Sequence, residues 1–237
     1  MSRSTSPGGR RGSRRVQLNE EAASYVRDLI LSRRLPADAL VPVEQVAEAL
    51  DISATPVREA LVTLRAEGFL RLEPRRGFVV APLRSDDLHD LWQVHAYLAG
   101  ELAARAAQRI SPEVLTDARR LQDQMRDSRS RQAFAEVEEL NFAVHRIINR
   151  SAEAPKLLWF LRLAMKYVPA RFVGDIAGWA DASIDDHVEV LDALEARDSD
   201  HARQAMRDHV THAEKLFVAH HDEASHADGN APNTSSE

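Results

Sequence analysis

DISATPVREALVTLRAEGFL spans Asp51–Leu70 and follows VEQVAEAL at Val43–Leu50, and the two segments predict a pair of short helices. Apolar residues recur at helical spacing in both segments: Val43, Val46, Ala47 and Leu50, then Val57, Ala60, Leu61 and Leu64. Ser53 suits the N-cap of the second helix, Pro56 its first turn, and Gly68 the position just past its end. Two short helices joined by a three-residue turn predict a helix-turn-helix, which places its second helix in a DNA major groove.

The residues after Gly68 predict a β-hairpin. FLRLE at Phe69–Glu73 and FVVA at Phe78–Ala81 alternate between apolar and other positions, and Pro74-Arg75-Arg76-Gly77 forms the turn between them. A helix-turn-helix followed by such a hairpin is a winged helix, whose wing would place two arginines against phosphates or in a minor groove. The expected fold class is mainly α, with an N-terminal winged helix-turn-helix and a C-terminal all-helical bundle.

Three runs carry a family resemblance: SATPVREAL at Ser53–Leu61, LRAEGFL at Leu64–Leu70 and PRRGFVV at Pro74–Val80. They resemble the DNA-binding domain of GntR-family bacterial transcription regulators. The alternative is a helix pair with no role at DNA, which would need the turn, the wing and the motif to coincide by chance. The resemblance and the docking geometry predict these DNA-binding residues: Ser53, Thr55, Arg58, Arg65, Arg75, Arg76 and Gly77. Ala54 stands where the family commonly has a DNA-contacting arginine, so we expect a different operator sequence.

Charge is segregated along the 237 residues, whose formal net charge is −6. Residues 1–82 hold 13 arginines and 10 acidic residues, whereas residues 83–237 hold 18 basic and 27 acidic residues. This distribution predicts one end that binds nucleic acid and another that stays off it. Residues 1–18 carry five arginines and no acid, and we expect a disordered basic arm that either contacts phosphates or is an inert tail.

The composition excludes several classes of protein. The chain has no cysteine, which rules out disulfides and thiolate metal sites. No apolar run approaches membrane-spanning length, and the N-terminal residues lack the apolar core of a signal peptide. We therefore expect a soluble, cytoplasmic protein with no membrane partner.

The rest of the chain predicts two domains. A helix from Glu20 to about Arg33, capped by Asn19, opens a winged domain over residues 19–82, and residues 83–85 form a linker. Residues 86–221 predict an all-helical bundle, followed by a disordered tail over residues 222–237. The bundle helices are expected at about Asp86–Gln108, Pro112–Ser128, Gln132–Asn149, Pro155–Phe172, Ala182–Ala196 and His201–His220.

All ten histidines follow residue 88, and their spacing predicts a cluster. His145 lies one helical turn after Asn141, so both side chains share a face. His187 and His209 are each eleven residues from Asp198, at the turn of a predicted helical hairpin, so they lie at the same level. Three imidazoles and an amide oxygen suit a divalent transition metal such as zinc or nickel. The alternative is ordinary surface or hydrogen-bonded histidines.

NFAVHRIINRS at Asn141–Ser151 and DDHVEVLDALEARDSDHARQAMRDHV at Asp185–Val210 resemble the FCD ligand domain of the FadR-like branch of the GntR family. The resemblance implies that the metal ligands are Asn141, His145, His187 and His209, that the chain is a homodimer and that the effector is a small carboxylate. Many relatives have Asp in place of Asn141, so this site would be one charge more positive and would favour an anionic effector.

The effector pocket departs further from the family pattern. An arginine and a glutamate of the usual R-x-x-L-E motif are replaced by His95 and Ala99. The candidate pocket residues are therefore His95, Arg105, Arg146, Arg162 and Arg171.

The function expected from these features is regulation of transcription by two copies that bind a near-palindromic DNA operator and respond to a metabolite. The alternative is a metal-dependent hydrolase or lyase, but the ligand histidines have no H-E-x-x-H glutamate as general base, so we expect no enzymatic activity. The metal could also be structural or be the signal itself. Effector identity, target genes and the sign of regulation stay open.

Overall fold

The computed structural model describes residues 8–168 and 176–229. The chain divides into two compact units, with the boundary between Leu83 and Arg84. The first is a winged helix-turn-helix and the second is all-helical in its described residues, which confirms the predicted fold class. In the described part of the chain, no helix is long and apolar enough to cross a membrane.

The winged unit has three helices and a hairpin: α1 (Gly8–Leu31), α2 (Val43–Ala49), α3 (Ala54–Ala66), β1 (Leu70–Glu73) and β2 (Gly77–Val80). The predicted inner face of α3 is fully buried, since Val57, Ala60, Leu61 and Leu64 are all 0% exposed. The strands pair antiparallel with Leu70 opposite Val80 and Glu73 opposite Gly77. Gly68 and Gly77 have φ of 89° and 102°, a backbone region in which glycine has no steric cost. The predicted helix end and wing turn are therefore confirmed.

Helix α1 corrects the predicted N-terminal arm. It begins at Gly8, so residues 8–18 are helical, and Asn19 lies within the helix and does not cap it. The cause is Glu59 of α3, whose carboxylate accepts from Arg15 Nε at 3.0 Å and from Asn19 Nδ2 at 2.7 Å. These contacts fix the first half of the helix to the rest of the unit, and no proline lies within Gly8–Leu31 to interrupt propagation. Residues 1–7 lie outside the described residues.

The second unit consists of α4 (Ser85–Arg109), α5 (Pro112–Ser130), α6 (Phe134–Ser151), α7 (Pro155–Ala164), a 3-10 turn (Met165–Tyr167), α8 (Trp179–Glu195) and α9 (Ser199–Gly229). Helix α4 is central, because it packs against α6, α7, α8 and α9. Its inner face is rich in alanine, with Ala99, Ala103 and Ala106 buried, which allows close helix approach.

Three predicted helix ends differ from the structure. Helix α9 extends to Gly229, so residues 222–229, expected to be disordered, are helical, and residues 230–237 lie outside the described part. Helix α7 ends at Ala164, well before Phe172. Val168, which precedes Pro169, is extended with φ −98° and ψ 126°, because a residue before proline disfavours the helical conformation. At the start of α4, the Asp87 carboxylate accepts from the Arg84 backbone N–H at 3.0 Å, so Ser85 is the first helical residue and not the cap.

Gly100 sets the separation of α4 and α9. A Cβ at this position would lie 2.8 Å from Arg207 Cγ and 2.9 Å from the Arg203 carbonyl oxygen. We expect Gly100→Ala to lower the free energy of unfolding by about 1–3 kcal/mol through overpacking, measured by urea denaturation. At an exposed helical site the same change would stabilise by up to about 1 kcal/mol, so a stabilised variant would contradict the close packing.

Candidate metal centre and DNA interface

Three imidazoles converge between α6, α8 and α9. His145 Nε2 lies 3.1 Å from His209 Nε2 and 3.2 Å from His187 Nε2. Four-coordinate ligand atoms with bonds of 2.0–2.1 Å would be ~3.3 Å apart, so the observed distances are close to those of ligands around one ion. The predicted juxtaposition of these three histidines is present in the structure.

The far side of two of these imidazoles is held by polar groups. Gln122 donates from Nε2 to the Ile184 carbonyl at 2.5 Å, which turns its Oε1 toward His187 Nδ1 at 3.1 Å. Asp186 Oδ2 lies 3.4 Å from His209 Nδ1. Acceptors at both Nδ1 atoms favour the tautomer with the proton on Nδ1, which leaves the two Nε2 lone pairs bare. Lone pairs that face one another in this way suit a bound cation.

Asn141 lines the same cavity as His145 and His209. It lies one turn before His145 on α6, is 7% exposed, and its Oδ1 is buried without a hydrogen-bond partner in the described structure. Buried polar atoms are normally satisfied, and a cation at the histidines would satisfy this oxygen. Burial, with the neighbouring imidazoles second, lowers the pKa of His145 and of His187 well below 6.5, so both rings are neutral, as metal ligands must be.

A cavity of about 60 Å³ adjoins the cluster. Its walls are formed by α4, α6, α7, α8 and α9, together with the 3-10 turn and the residue that follows this turn. The lining residues are Trp92, His95, Ala99, Asn141, Phe142, His145, Asn149, Leu161, Met165, Val168, Trp179, His209, Val210 and Ala213. Mostly apolar walls around a few polar groups are typical of a small-molecule site.

Only some of the predicted pocket residues lie at the cavity. His95 lines the cavity, whereas Arg105, Arg146 and Arg162 are exposed and do not. Successive residues on a helix point about 100° apart, which turns Arg146 away from the face of His145 and Arg162 away from that of Leu161. The structure therefore does not bring these three arginines to the described cavity, and Arg171 lies outside the described residues.

Several polar residues of this site were not predicted from the sequence, among them Trp92, Gln122 and Asp186. In the sequence, Trp92 is recognisable only as an apolar position of a helix. Gln122 lies on α5, and the approach of α5 to His187 depends on tertiary packing. Asp186, next to His187 in sequence, could have been found, because a carboxylate that holds a ligand imidazole is a recurrent feature of metal sites.

The burial of His95 predicts a pH dependence of stability in chelator-treated protein. Burial, with a smaller effect of His209, lowers the pKa of His95 from 6.5 to about 4. Below pH 6.5 the unfolded chain gains this proton and the folded chain does not, so stability falls as the pH drops toward 4. We expect His95 to account for about 2 kcal/mol of lost stability at pH 5 relative to pH 8. In urea denaturation, the stability of His95→Gln should depend less on pH than that of the unmodified chain. The control His201→Gln, at an exposed position, should not show this reduction. An equal pH dependence in His95→Gln and the unmodified chain would contradict the assigned role of His95.

The predicted DNA-binding residues form an exposed surface on the winged unit. On and before α3, Ser53, Thr55, Arg58 and Arg65 are exposed, and at the wing tip Arg75 and Arg76 are exposed while Gly77 is half-buried. Arg58 Nη2 lies 3.2 Å from Glu44 Oε1, and both side chains are mostly in solvent. Ser53 occupies the N-cap position but makes no side-chain capping bond, so its hydroxyl is available to DNA. Val62, 50% exposed on α3, adds an apolar group that was not predicted.

The fold and site together define a class: a DNA-binding transcription regulator with a C-terminal ligand domain. Residues 18–80 match the family described as "Bacterial regulatory proteins, gntR family" and residues 90–212 match the "FCD domain". The chain belongs to the GntR family, in the group that carries an FCD domain. Members are transcription regulators, which confirms the expected class and the expectation that the chain is no enzyme.

Similar proteins are named as transcription regulators too. A "Probable D-xylose utilization operon transcriptional repressor" of Paenarthrobacter nicotinovorans is 32% identical over 198 residues, which is 79% of this chain and 85% of the relative. The "HTH-type transcriptional repressor RspR" of Escherichia coli K12 is 24% identical over 170 residues, or 70% and 74% of the two chains.

Solved structures share the fold. Escherichia coli McbR/YncC matches with a TM-score of 0.70 at 18% identity, over 86% of this chain and 98% of the other. A GntR family member from Pseudomonas syringae matches with a TM-score of 0.51 at 22% identity, over 90% and 89%.

Proposed function

We propose that the chain is an effector-responsive transcriptional repressor with a divalent metal, zinc or nickel, in its C-terminal unit. Asn141, His145, His187 and His209 would hold the metal. The convergence of the three Nε2 atoms carries this proposal, since these atoms have no other common partner in the described structure. Repression is inferred from the two relatives that are named as repressors.

The effector is a small carboxylate that binds at the metal within the adjoining cavity. When bound, the metal would supply an electrophilic centre, and a carboxylate oxygen would join the four protein ligands as a further ligand. Asn141 is neutral, so the ligand set adds no charge and the metal keeps its full positive charge for an anion. The apolar walls contributed by Phe142, Leu161 and Trp179 exclude water around the bound molecule.

The winged unit binds the operator, in the cytoplasm, through α3 and the wing. Thr55, Arg58 and Ser53 reach base edges and phosphates, and Arg65, Arg75 and Arg76 contact phosphates or a minor groove. Two copies then read a near-palindromic site. The effector weakens binding only if it prefers the arrangement that does not fit the operator, with a coupling of about 1–3 kcal/mol.

We propose that α7 contributes to the homodimer interface. Trp159, Phe160 and Leu163 are 55%, 54% and 40% exposed on this one helix, and adjacent exposed apolar side chains are typical of interaction surfaces. Trp159→Glu combined with Phe160→Glu is expected to shift the dimer to monomer, measured by sedimentation velocity. The control is Val114→Glu, on α5, which should leave the dimer intact; an unchanged dimer in the double variant would exclude α7.

Binding-site selection tests the proposed function. Metal-loaded protein is used to select duplexes from a random library, and the selected DNA is then titrated by fluorescence anisotropy with and without short-chain carboxylates. We expect inverted half-sites, and release of the DNA by an acid only when metal is present. Recovery of no preferred sequence would contradict the regulator, and acid-dependent release that persists in chelator would contradict the metal's role.

A further inference from the structure

Three residues of the cavity have a buried polar atom without a hydrogen-bond partner in the described structure: Trp92 Nε1, His95 Nδ1 and Asn141 Oδ1. The proposed metal satisfies Asn141 but neither of the other two. Trp92 and His95 are 3% and 8% exposed, so neither is solvated from outside. They lie one turn apart on α4, with ring centroids 5.7 Å apart. The two atoms thus form a pair that the metal-centred site leaves unexplained.

The chemistry of this pair restricts the group that it could bind. An indole Nε1–H only donates, and a neutral imidazole nitrogen donates or accepts according to its tautomer. A buried donor without an acceptor is costly, so a ligand oxygen beside Trp92 would be bound favourably. The ligand atom at Trp92 must therefore be an acceptor.

The remaining lining residues restrict the charge of the ligand group that could lie beside Trp92 and His95. Among the described lining residues there is no arginine or lysine, and most of the remaining side chains are apolar. A carboxylate buried away from the metal would have no cation beside it among these described residues, and burial of an unpaired charge is strongly unfavourable. A hydroxyl or carbonyl oxygen carries no such cost. The small volume of about 60 Å³ limits the ligand to a short molecule.

We propose that Trp92 and His95 form a polar subsite for an uncharged oxygen, and that the effector is a short monocarboxylate with a hydroxyl or carbonyl group at its far end. This inference rests on the proposed function, because the metal is what binds the carboxylate. It assigns the neutral end of the effector to α4, where the family pattern would place an arginine.

Three acids of four carbons test the subsite: butyrate, 4-hydroxybutyrate and succinate, which end in a methyl, a hydroxyl and a carboxylate. Their dissociation constants are measured by isothermal titration calorimetry with zinc-loaded full-length protein. We expect 4-hydroxybutyrate to bind roughly three- to tenfold more tightly than butyrate, the factor for one net hydrogen bond. Succinate should bind no more tightly than butyrate.

Trp92→Phe isolates the indole N–H, because the remaining ring still packs against Phe217. This variant should lose most of the preference for the hydroxyl, measured as the ratio of the dissociation constants of butyrate and 4-hydroxybutyrate. His95→Phe should reduce the same preference. Trp159→Phe removes an indole N–H from the exposed α7 surface and is the matched control, with the preference unchanged.

The outcomes separate the two proposals. If butyrate binds but the hydroxyl gives no advantage, or the advantage survives in both α4 variants, the subsite is wrong and the metal-bound carboxylate stands. Tighter binding of succinate than of 4-hydroxybutyrate also overturns the subsite, since it requires a cation at the far end. If none of the three acids binds, both proposals fail.

Discussion

His187→Ala is expected to weaken zinc binding by more than about 100-fold, beyond the 10–100-fold that loss of a supporting group costs. His187 is 0% exposed, and its Nε2 lies 3.2 Å from that of His145. Its removal opens the donor set on the α8 side, and no other described histidine, aspartate or glutamate joins the cluster to replace it. Competition with a chromophoric chelator measures the affinity, and elemental analysis gives the metal content per chain. A variant that keeps about one metal per chain would exclude His187 as a ligand.

Two matched variants separate a ligand from a supporting group. Asp186→Asn should weaken metal binding by about 10–100-fold, because its carboxylate holds His209 through Nδ1 and is not itself in the cluster. His201→Ala removes an exposed histidine that pairs with Glu189 at 3.0 Å and should have no effect. An effect of His201→Ala equal to that of His187→Ala would indicate nonspecific binding to surface histidines.

Thermal denaturation shows whether the metal also contributes to folding. Saturating zinc at 100 times its dissociation constant should raise the free energy of unfolding by about 2.7 kcal/mol. The melting temperature of the unmodified chain should fall in chelator, and that of His187→Ala should be insensitive to both. Cooperative melting with secondary structure retained in chelator would show that the metal is not required for the fold.

The winged unit could be predicted from the sequence because its determinants are local. Val57 and Leu61 repeat at helical spacing, and Gly68 ends the helix in a conformation that few other residues adopt. The arrangement of Asn141 and His145 is likewise local, since one helical turn separates them. The pairing of His187 with His209 followed from the symmetry of a helical hairpin about Asp198. Each of these inferences needed only helix geometry.

The predictions that differ from the structure concern residues whose position depends on tertiary contacts. Asn19 looked like a helix cap because its preference for caps is intrinsic, but Glu59 of another helix accepts its amide and the helix continues through it. Arg146 and Arg162 looked suitable for an anion site by charge alone, whereas helix phase turns both to the surface. Gln122 could not be found, because nothing local indicates that α5 brings it to His187.

Arg58→Ala is expected to lower operator affinity by about 1–3 kcal/mol and to relax specificity at one base position. Arg58 lies on the exposed face of α3, near its start, and among the described residues it pairs with the exposed Glu44, 3.2 Å away. Surface pairs of this kind contribute little, so the guanidinium can exchange the carboxylate for a guanine or a phosphate. Fluorescence anisotropy with the selected operator measures the loss, and unchanged affinity would exclude α3 from the major groove.

Further variants distinguish arginines that contact bases from arginines that contribute only positive charge. Arg75→Ala, at the wing tip, should weaken binding almost uniformly across sequences and should reduce the salt slope by about 1. Arg126→Ala removes an exposed arginine of the helical unit that pairs with Asp123, and it should leave affinity unchanged. Because Ala54 replaces the family's usual arginine, we expect base discrimination by α3 to depend more heavily on Arg58 and Thr55. Arg58→Lys, which keeps the charge but loses the two-pronged contact, should therefore restore affinity for random DNA but not for the operator.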